Sequence, residues 1–376
     1  MKRVSIALIA IIAFQFNIMA QTGVARFLSS GMEDLDQLTE AYMSPFGKGF
    51  GAAMNAGWYN TGATHKFMGF DFTLQSTMVS VPVSDGSFDL DLYSWKHLKP
   101  GTNSVTPTIS GDGQGAVVGL EYEGGEINNL YDMPKGIGFN VVPLPMVQLG
   151  VGVFKGTDFT FRFFPVVDFS DFGRIGMLGF GLKHDIKQWI PGIKKLPFDV
   201  AVQGAWSHLS GQYNKVEYYP TKVINVDFER IDPLLPTTDS DLANDYYRTQ
   251  DLTLTTNAWN MNFIVSKKIS VLTGFASIGY SSSNLNIGLN GKYLLPEFIP
   301  MTDDAYSAAD DLNNDGFVSV LDSENEISNP IDANIKYSSV NMSAGIRLQL
   351  AIIAFHATYV YQDYSMINFG LGFSFR

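Results

Sequence analysis

Strict alternation of large apolar residues with small or polar residues runs to the end of the chain. The odd positions of residues 367–376 hold isoleucine, leucine and three phenylalanines, and the even positions hold asparagine, glycine, serine and arginine. Successive side chains of a β-strand point to opposite faces. The pattern therefore predicts a final strand with one apolar face and one polar face.

The same alternation recurs along the chain, in residues 147–153, 159–163, 198–207, 340–350 and 353–362. A strand of about ten residues, when tilted, crosses a hydrocarbon layer. Because no water in that layer satisfies an open sheet edge, such a sheet must close. The sequence predicts an all-β fold, an antiparallel transmembrane β-barrel of about 14 strands in a range of 12–16. A secreted soluble β-sandwich shares the same period and stays open as an alternative.

Composition agrees with a large apolar surface that is spread over many strands. Charged residues make up 16% of the chain, against about 25% in soluble domains. The net charge of −12 argues against nucleic acid as a partner. The chain has no cysteine, so neither a disulfide framework nor a cysteine-linked lipid anchor is available to it.

Residues 1–20 have the pattern of a secretory signal peptide. Lys2 and Arg3 precede an apolar run, and Ala20 offers a small residue before a cleavage site. We expect export and insertion into the bacterial outer membrane, with lipid as the surrounding partner. The aromatic tail ending at Phe375 resembles the assembly signal of outer-membrane barrels, which implies barrel-assembly machinery as a partner during biogenesis. Arg376 departs from the commonest form of that signal, in which the aromatic residue is last.

A short helix is predicted at residues 31–43, within the N-terminal segment of residues 21–48. Ser30 and Glu33 have capping-box spacing, apolar residues follow at helical intervals to residue 43, and Ser44-Pro45 should end the helix. The helix could enter the barrel as a plug or rest on its rim. The barrel itself is assigned to residues 49–376.

Connections between strands fall into two kinds. Those near residues 155–158, 266–268 and 350–352 are short, whereas 214–249 and 296–334 are long, polar and acidic. Barrels combine short periplasmic turns with long outer loops. An even number of strands with Arg376 in the periplasm places both long loops outside.

Residues 183–196, with Trp189 among lysines, predict an interfacial segment, and a docking site for a partner is the alternative.

Residues 311–322 read DLNNDGFVSVLD and match the spacing of an EF-hand calcium loop. Oxygen ligands at alternate positions let one loop surround a hard cation, and the glycine at the sixth position allows its sharp turn. Aspartate replaces the usual bidentate glutamate at the last position, which should weaken binding. An acidic solvated loop without metal is the alternative. The predicted ligands are Asp311, Asn313, Asp315, the carbonyl of Phe317, Ser319 and Asp322.

No enzyme motif is present. The five histidines form no metal-binding pair, and neither a nucleophile elbow nor a phosphate-binding loop occurs. We therefore predict that the protein is not an enzyme and has no catalytic residues. Strand parity assigns a set of polar side chains to the lumen, namely Arg162, Gln203, Asn341, Arg347, Gln349 and His356.

The segments 38–74, 134–165 and 180–206 together resemble an uncharacterised family of bacterial outer-membrane barrels. That family is similar in architecture to the long-chain fatty-acid (FadL-type) transporters. The resemblance covers most of the mature chain but thins in the long loops, and it transfers no ligand-binding residue. It implies transport or binding of a small hydrophobic molecule. A non-transport barrel acting as a secretion or assembly partner, or as a surface adhesin, is the alternative.

Calcium titration tests the EF-hand-type loop. We expect the whole protein to release or absorb heat with millimolar calcium, since isolated loops of this kind bind weakly. Asp311→Asn with Asp315→Asn should abolish that heat, because it removes two carboxylate ligands. The prediction is wrong if neither the protein nor a peptide of residues 311–322 gives heat at millimolar calcium.

Overall fold

The structure is a computed structural model. It describes residues 33–375 except 123–124, 139, 169–172, 214–229, 232–249, 295–296, 301–316 and 322–325. The predicted signal peptide and most of the two long acidic loops lie outside these residues.

Ten of the described strands form one closed antiparallel barrel. Each is paired with its neighbours in chain order, and the last strand pairs with the first, with Phe70 opposite Phe375. The barrel strands are β1 (Phe70–Ser80), β2 (Val141–Phe154), β3 (Thr157–Asp168), β4 (Arg174–Asp185), β5 (Asp199–Tyr213), β6 (Asp251–Ile269), β7 (Leu272–Asn290), β8 (Ile331–Leu350), β9 (Ile353–Tyr361) and β10 (Met366–Phe375).

The barrel has two different rims. The start of β1 and the end of β10 lie at the same rim as the turns Lys155-Gly156, Ser270-Val271 and Ala351-Ile352. We call it the short-turn rim, and the opposite one the long-loop rim. The predicted short turn at 266–268 belongs instead to β6, and the turn follows it at 270–271, because the hairpin stays paired as far as Ile269 and Leu272.

The outer face of the wall carries an apolar band. On β6 the exposed side chains are Trp259, Met261, Phe263 and Val265, and beyond Trp259 the outward positions become polar. Trp206 lies opposite Trp259 on the neighbouring strand, and Tyr280 lies 5.6 Å from Trp259 between ring centres. These rings form the aromatic girdle that marks a membrane interface.

The expected number of about 14 strands is wrong. β6 and β7 are 19 residues long and β8 is 20, so they continue past the girdle toward the long-loop rim. The strand Ser87–Asp89 does not belong to the wall and pairs with Val105–Pro107 in a small sheet that covers this rim. Alternation has the same period in a membrane-crossing stretch, in its extension and in a small covering sheet. The pattern alone therefore predicts too many barrel strands.

Helix α1 spans Leu35–Asn55 and differs from the predicted helix at 31–43. Pro45 lies inside the helix and does not end it. The lost hydrogen bond and the three glycines that follow make this a poor helix by local propensity. Fifteen of its residues are nevertheless buried, so tertiary packing inside the barrel stabilises the segment.

The helix lies within the barrel, against the inner faces of β7 and β8. A Cβ on Gly51 would come 1.9 Å from Ser283 Oγ, and one on Gly47 would come 2.8 Å from Leu285. Only glycine permits this approach. Around the helix the inward side chains are apolar, including Ile287, Ile335 and Met366. They form the hydrophobic core of the molecule.

Carboxylates fix the N-terminal end of α1 near the long-loop rim. Asp34 accepts hydrogen bonds from three consecutive backbone N–H groups, those of Lys96, His97 and Leu98, each at 2.8 Å. Asp36 and Glu40 accept from backbone N–H groups of β8 that point away from β7, at 2.8 Å. The carboxylates of the helix therefore accept hydrogen bonds from backbone N–H groups that have no partner in the wall.

Residues 81–140 cover the long-loop rim beside the helix. Their strands are Ser87–Asp89, Leu98–Pro100, Val105–Pro107, Val117–Tyr122 and Gly125–Asp132. Tyr364, in the turn between β9 and β10, donates a hydrogen bond to Asp85. Burial, together with that carboxylate, raises the pKa of Tyr364 above its ordinary value, so the phenol stays protonated.

Further short strands lie at Arg230–Ile231, Lys292–Leu294, Glu297–Pro300, Phe317–Leu321 and Glu326–Ser328, and short 3₁₀ turns at Val83–Gly86, Leu90–Leu92, Lys187–Trp189 and Ile193–Lys195. Within the described ranges, none of the helices combines the length and apolarity that crossing a membrane requires.

Substitution of Gly51 tests the close approach of α1 to the wall. Gly51→Leu should lower the free energy of unfolding by about 1–3 kcal/mol, because the side chain has no space beside Ser283. Urea unfolding in lipid vesicles measures the change. Gly274→Ala is the matched control, since a Cβ there meets nothing within 4 Å. Equal stability of the Gly51 variant would contradict the packing described.

Candidate functional site

Arg162 on β3 binds the C-terminal end of α1. Its Nη1 donates to the carbonyl of Met54 at 3.0 Å, and its Nη2 donates to that of Ala56 at 2.9 Å. The guanidinium carbon also lies 3.8 Å from the ring centre of Trp58. Free carbonyls at a helix C-terminus attract a cation. The fully buried Arg162 thus caps the helix from the barrel wall.

Amide side chains surround this contact. Gln148 Oε1 accepts from Arg162 Nη2 at 3.0 Å and from Gln75 Nε2 at 3.2 Å. On the other side of the lumen, Asn260 Nδ2 donates to the carbonyl of Asn55 at 3.1 Å. Gln75 and Gln148 thus hold Arg162 in place, while Asn260 holds the helix end directly through a neutral, directional bond.

After α1, residues 56–69 run as an extended segment down the lumen to the short-turn rim. Tyr59 contacts the hydroxyl groups of Ser277 and Ser343, which lie 2.7 Å from each other. Arg347 Nη1 donates to Asn60 Oδ1 at 2.9 Å. Helix and extended segment together, residues 35–69, are called the plug.

A cluster of charged groups holds the plug where it leaves the lumen. His65 Nδ1 lies 3.0 Å from Asp158 Oδ2, and Lys183 Nζ lies 3.2 Å from the same oxygen. Lys183 also donates to the carbonyl of Ala63 at 2.8 Å. Asp71 lies 3.6 Å from the other ring nitrogen of His65. The contacts join plug, β1, β3 and β4 at one point.

The plug leaves little free space in the middle of the barrel. A cavity of about 20 Å³ lies beside Asn55, Tyr59 and Asn341. That is room for about one or two water molecules, whereas pockets for small ligands are roughly 300–1,000 Å³. In the described part of the lumen beside this cavity, a solute of that size can pass only if the plug moves.

The wall itself is interrupted between β2 and β3. Residues 141–146 pair with β1 along their whole length, from Val141 opposite Ser80 to Met146 opposite Gln75. Toward β3, pairing of the described residues begins only at Val147, opposite Phe163. We call this unpaired stretch, between residues 141–146 and 164–168, the seam. It lies within the apolar band, since Pro143 is opposite the exposed Met78.

Two prolines remove donors from the open edge of β2. Gly152 exchanges both of its backbone hydrogen bonds with Met68 and Gly69, which precede β1. Backbone groups alternate between neighbours along an antiparallel strand, so even positions of β2 face β1 and odd positions face β3. Pro143 and Pro145 therefore face the seam, where neither has an N–H to leave unpaired.

The seam has an apolar inner side. Val142, Leu144 and Met146 are buried and belong to the same core cluster as α1. A Cβ on Gly49 of the helix would lie 3.1 Å from Val142. On β3, an irregularity follows Phe164, where one extra residue is accommodated before Val167 pairs with β4. Pro165 falls in this irregularity.

The residues predicted to line the lumen occupy different places. Arg162, Gln203, Asn341, Arg347 and His356 are buried. Gln203 accepts a hydrogen bond from Asn262 at 2.8 Å, and His356 lies 3.1 Å from Asn368 and opposite Arg347. Gln349 is only partly buried and donates to Ala351 in a turn at the short-turn rim.

Sequence reasoning missed the charged cluster and the seam. Asp158 has the same parity as Arg162 on β3, so alternation could have placed it in the lumen. His65 and Trp58 lie in an irregular segment that has no such signal. The prolines at 143 and 145 were a visible signal for an edge, since proline is confined to edges of sheets.

Most of the predicted calcium ligands lie outside the described residues. These are Asp311, Asn313, Asp315 and Asp322. Phe317 and Ser319 lie on the short strand Phe317–Leu321, which pairs with Glu297–Pro300. Within the part of the chain that the structure describes, no group of three acidic or histidine side chains could hold a metal ion. Calcium binding by this loop stays a prediction.

A closed antiparallel wall, an apolar outer band and a polar, plugged lumen define a transmembrane β-barrel. The chain belongs to a family of unknown function (DUF6588), whose model matches residues 1–375. No curated protein matches the chain.

Three solved structures match most of the chain but superpose on it only weakly. The translocator domain of autotransporter NalP from Neisseria meningitidis is 8% identical, with a TM-score of 0.29, over 84% of this chain and 91% of that one. CdiB from Acinetobacter baumannii is 10% identical, with a TM-score of 0.21, over 81% and 60%. The TodX monoaromatic hydrocarbon channel deltaS2 mutant is 9% identical, with a TM-score of 0.23, over 88% and 99%. Scores this low say nothing about what the chain binds.

Substitution of Arg162 tests the attachment of the plug. Arg162→Met should lower the free energy of unfolding by about 2–3 kcal/mol, because carbonyls of the helix lose a charged donor. It should also raise ion conductance in planar bilayers, since a loosened plug opens the lumen. Arg174→Gln, at an exposed position, is the control. Wild-type conductance and stability in the Arg162 variant would refute the role of this contact.

Proposed function

We propose that this protein is a bacterial outer-membrane barrel that binds a small hydrophobic molecule and passes it through the side of its wall. On this proposal it is exported by its N-terminal signal, inserted by barrel-assembly machinery and surrounded by outer-membrane lipid. We include in this proposal that the protein is related in architecture to the long-chain fatty-acid (FadL-type) transporters. We assign it no catalytic step.

The seam carries this proposal. A lipid-facing sheet edge normally costs several kcal/mol for each unsatisfied backbone group, about as much as burying an amide without a partner. Pro143 and Pro145 lower that cost, because they present no N–H toward the gap. The edge can therefore stay open within the apolar band, at a place where a molecule dissolved in the bilayer would meet it.

The surroundings of the seam favour an apolar solute. Its inner side is formed by Val142, Leu144 and Met146, and the helix of the plug packs directly behind them. A molecule entering there would take the place of α1 as the apolar neighbour of these three side chains. Polar solutes would have to leave water for this surface, which is unfavourable.

Movement of the plug is a necessary part of the proposal, because the described residues of the plug fill the middle of the lumen beside a cavity of only about 20 Å³. The helix is the part that must shift, since it contacts the seam through Gly49. The bonds of Arg162 to Met54 and Ala56 then act as a restraint on that shift.

Crosslinking of the seam tests the route. The chain has no cysteine, so Pro145→Cys with Pro165→Cys introduces only the intended pair, one on each side of the gap. In vesicles that contain the crosslinked protein, uptake of a hydrophobic solute should fall several-fold, and cleavage of the linker should restore it.

The matched control crosslinks a stretch of the same two strands that is already paired. Leu149 and Phe161 are register partners, so Leu149→Cys with Phe161→Cys joins β2 to β3 without closing a gap. Its uptake should equal that of the wild type. Equal uptake by both crosslinked proteins would exclude the seam as the route.

The filled lumen favours a second function, that of a non-transport barrel serving as a secretion or assembly partner or as an adhesin. On that alternative the plug never leaves, and the covered long-loop rim is the working surface. Vesicles distinguish the two functions. Uptake of a panel of hydrophobic solutes no faster than in empty vesicles would exclude transport and leave the partner role.

A further inference from the structure

The short-turn rim carries one connection that is unlike its other turns. Residues 186–198, between β4 and β5, form two short 3₁₀ turns in place of a tight hairpin. Trp189 projects from this connection and is 69% exposed. Its Nε1 donates to His184 Nε2 at 2.8 Å, and the two rings stack. The indole is thus held in a fixed orientation while most of its surface stays free.

Lysines are concentrated around Trp189. Lys194 and Lys195 are on the same connection, Lys155 is on the neighbouring turn, and Lys267 and Lys268 end β6. All five are exposed, and among the described residues none forms an ion pair. The two turns are in contact, since Gln188 donates to the carbonyl of Lys155 at 3.1 Å. We call the two turns and the adjoining end of β6 the arc. It is basic, although the whole chain has a net charge of −12.

The acidic groups near this arc are engaged locally. Asp185 accepts from the backbone N–H of Lys187 at 2.9 Å, and Asp199 accepts from Ser266 Oγ at 3.4 Å. Lys187 donates to the carbonyl of Leu196 at 2.6 Å and is therefore not counted with the free lysines. These bonds to neutral groups leave the charges unchanged, so six lysines against two carboxylates give the arc a net positive charge.

The arc borders the apolar band directly. Leu182, Val202 and Val265 are exposed at the ends of β4, β5 and β6 that lead to it. Exposed Ile190 and Leu196 lie on the connection itself. Lysines immediately beyond an apolar surface are at the depth of lipid headgroups, and an aromatic ring at that depth anchors a protein in the interface.

We propose that Trp189 and these lysines form a binding surface for anionic phospholipid headgroups. The five lysines are Lys155, Lys194, Lys195, Lys267 and Lys268. Because short turns of barrels face the periplasm, the lipid is that of the inner, periplasmic leaflet. The lysines neutralise headgroup phosphates, and Trp189 fixes the depth of the connection. Juxtamembrane basic clusters attract anionic lipid by this electrostatic mechanism.

Lipid competition with the full-length protein tests this surface. Native mass spectrometry of protein released from nanodiscs with equal phosphatidylglycerol and phosphatidylcholine should show retained phosphatidylglycerol in excess. Lys194→Gln with Lys195→Gln should reduce that excess, roughly five-fold for each charge removed. Trp189→Ala should reduce retention of both lipids without changing their ratio.

The matched control is Lys135→Gln with Lys336→Gln, which removes two exposed lysines away from the short-turn rim. It should retain the wild-type excess of phosphatidylglycerol. Equal retention of the two lipids by the wild type would overturn the proposal, as would an equal loss in the control variant. Displacement of the lipid by millimolar inorganic phosphate would also overturn it, because the surface would then bind free phosphate. An acidic peptide that displaces the lipid at lower concentration would assign the surface to a protein partner.

Discussion

Satisfaction of backbone hydrogen bonds in lipid is the constraint on which the rest of this structure depends. It requires the ten strands to close, with Phe70 paired to Phe375. It also explains why the seam has prolines on its edge. Pro143 and Pro145 can face a gap at low cost because they have no N–H to leave unsatisfied.

The closed wall creates a lumen whose own polar groups must be paired. The plug meets that need with backbone groups as well as side chains. Carbonyls at the end of α1 accept from Arg162, and carboxylates at its beginning accept from free N–H groups of β8. A helix with a proline and several glycines is thereby stabilised where its local sequence would not favour it. Plug and barrel each satisfy groups that the other leaves free.

The charge distribution follows the same division between surfaces. Acidic residues are abundant in the long loops, whereas free lysines lie on the short-turn rim beside Trp189. Inside the lumen, charges occur where the plug is fastened, as in the contacts of Asp158 with His65 and Lys183. The two rims thus differ in the sign of their charge. Neutral amides and apolar side chains fill most of the interior.

Alternation in the sequence assigned the side chains of each strand to two opposite faces, because neighbouring residues of a strand point in opposite directions. The sequence also predicted that Arg162 faces the lumen and that short turns join several strands, but it placed one of these turns at 266–268, inside β6. It could not determine the number of barrel strands, since period two is the same in wall, extension and covering sheet. It predicted the end of the helix at Ser44-Pro45, because the packing that overrides proline comes from β7 and β8, more than two hundred residues away. Which strand edges stay unpaired is fixed by the fold alone, since pairing is a relation between segments that are distant in the chain.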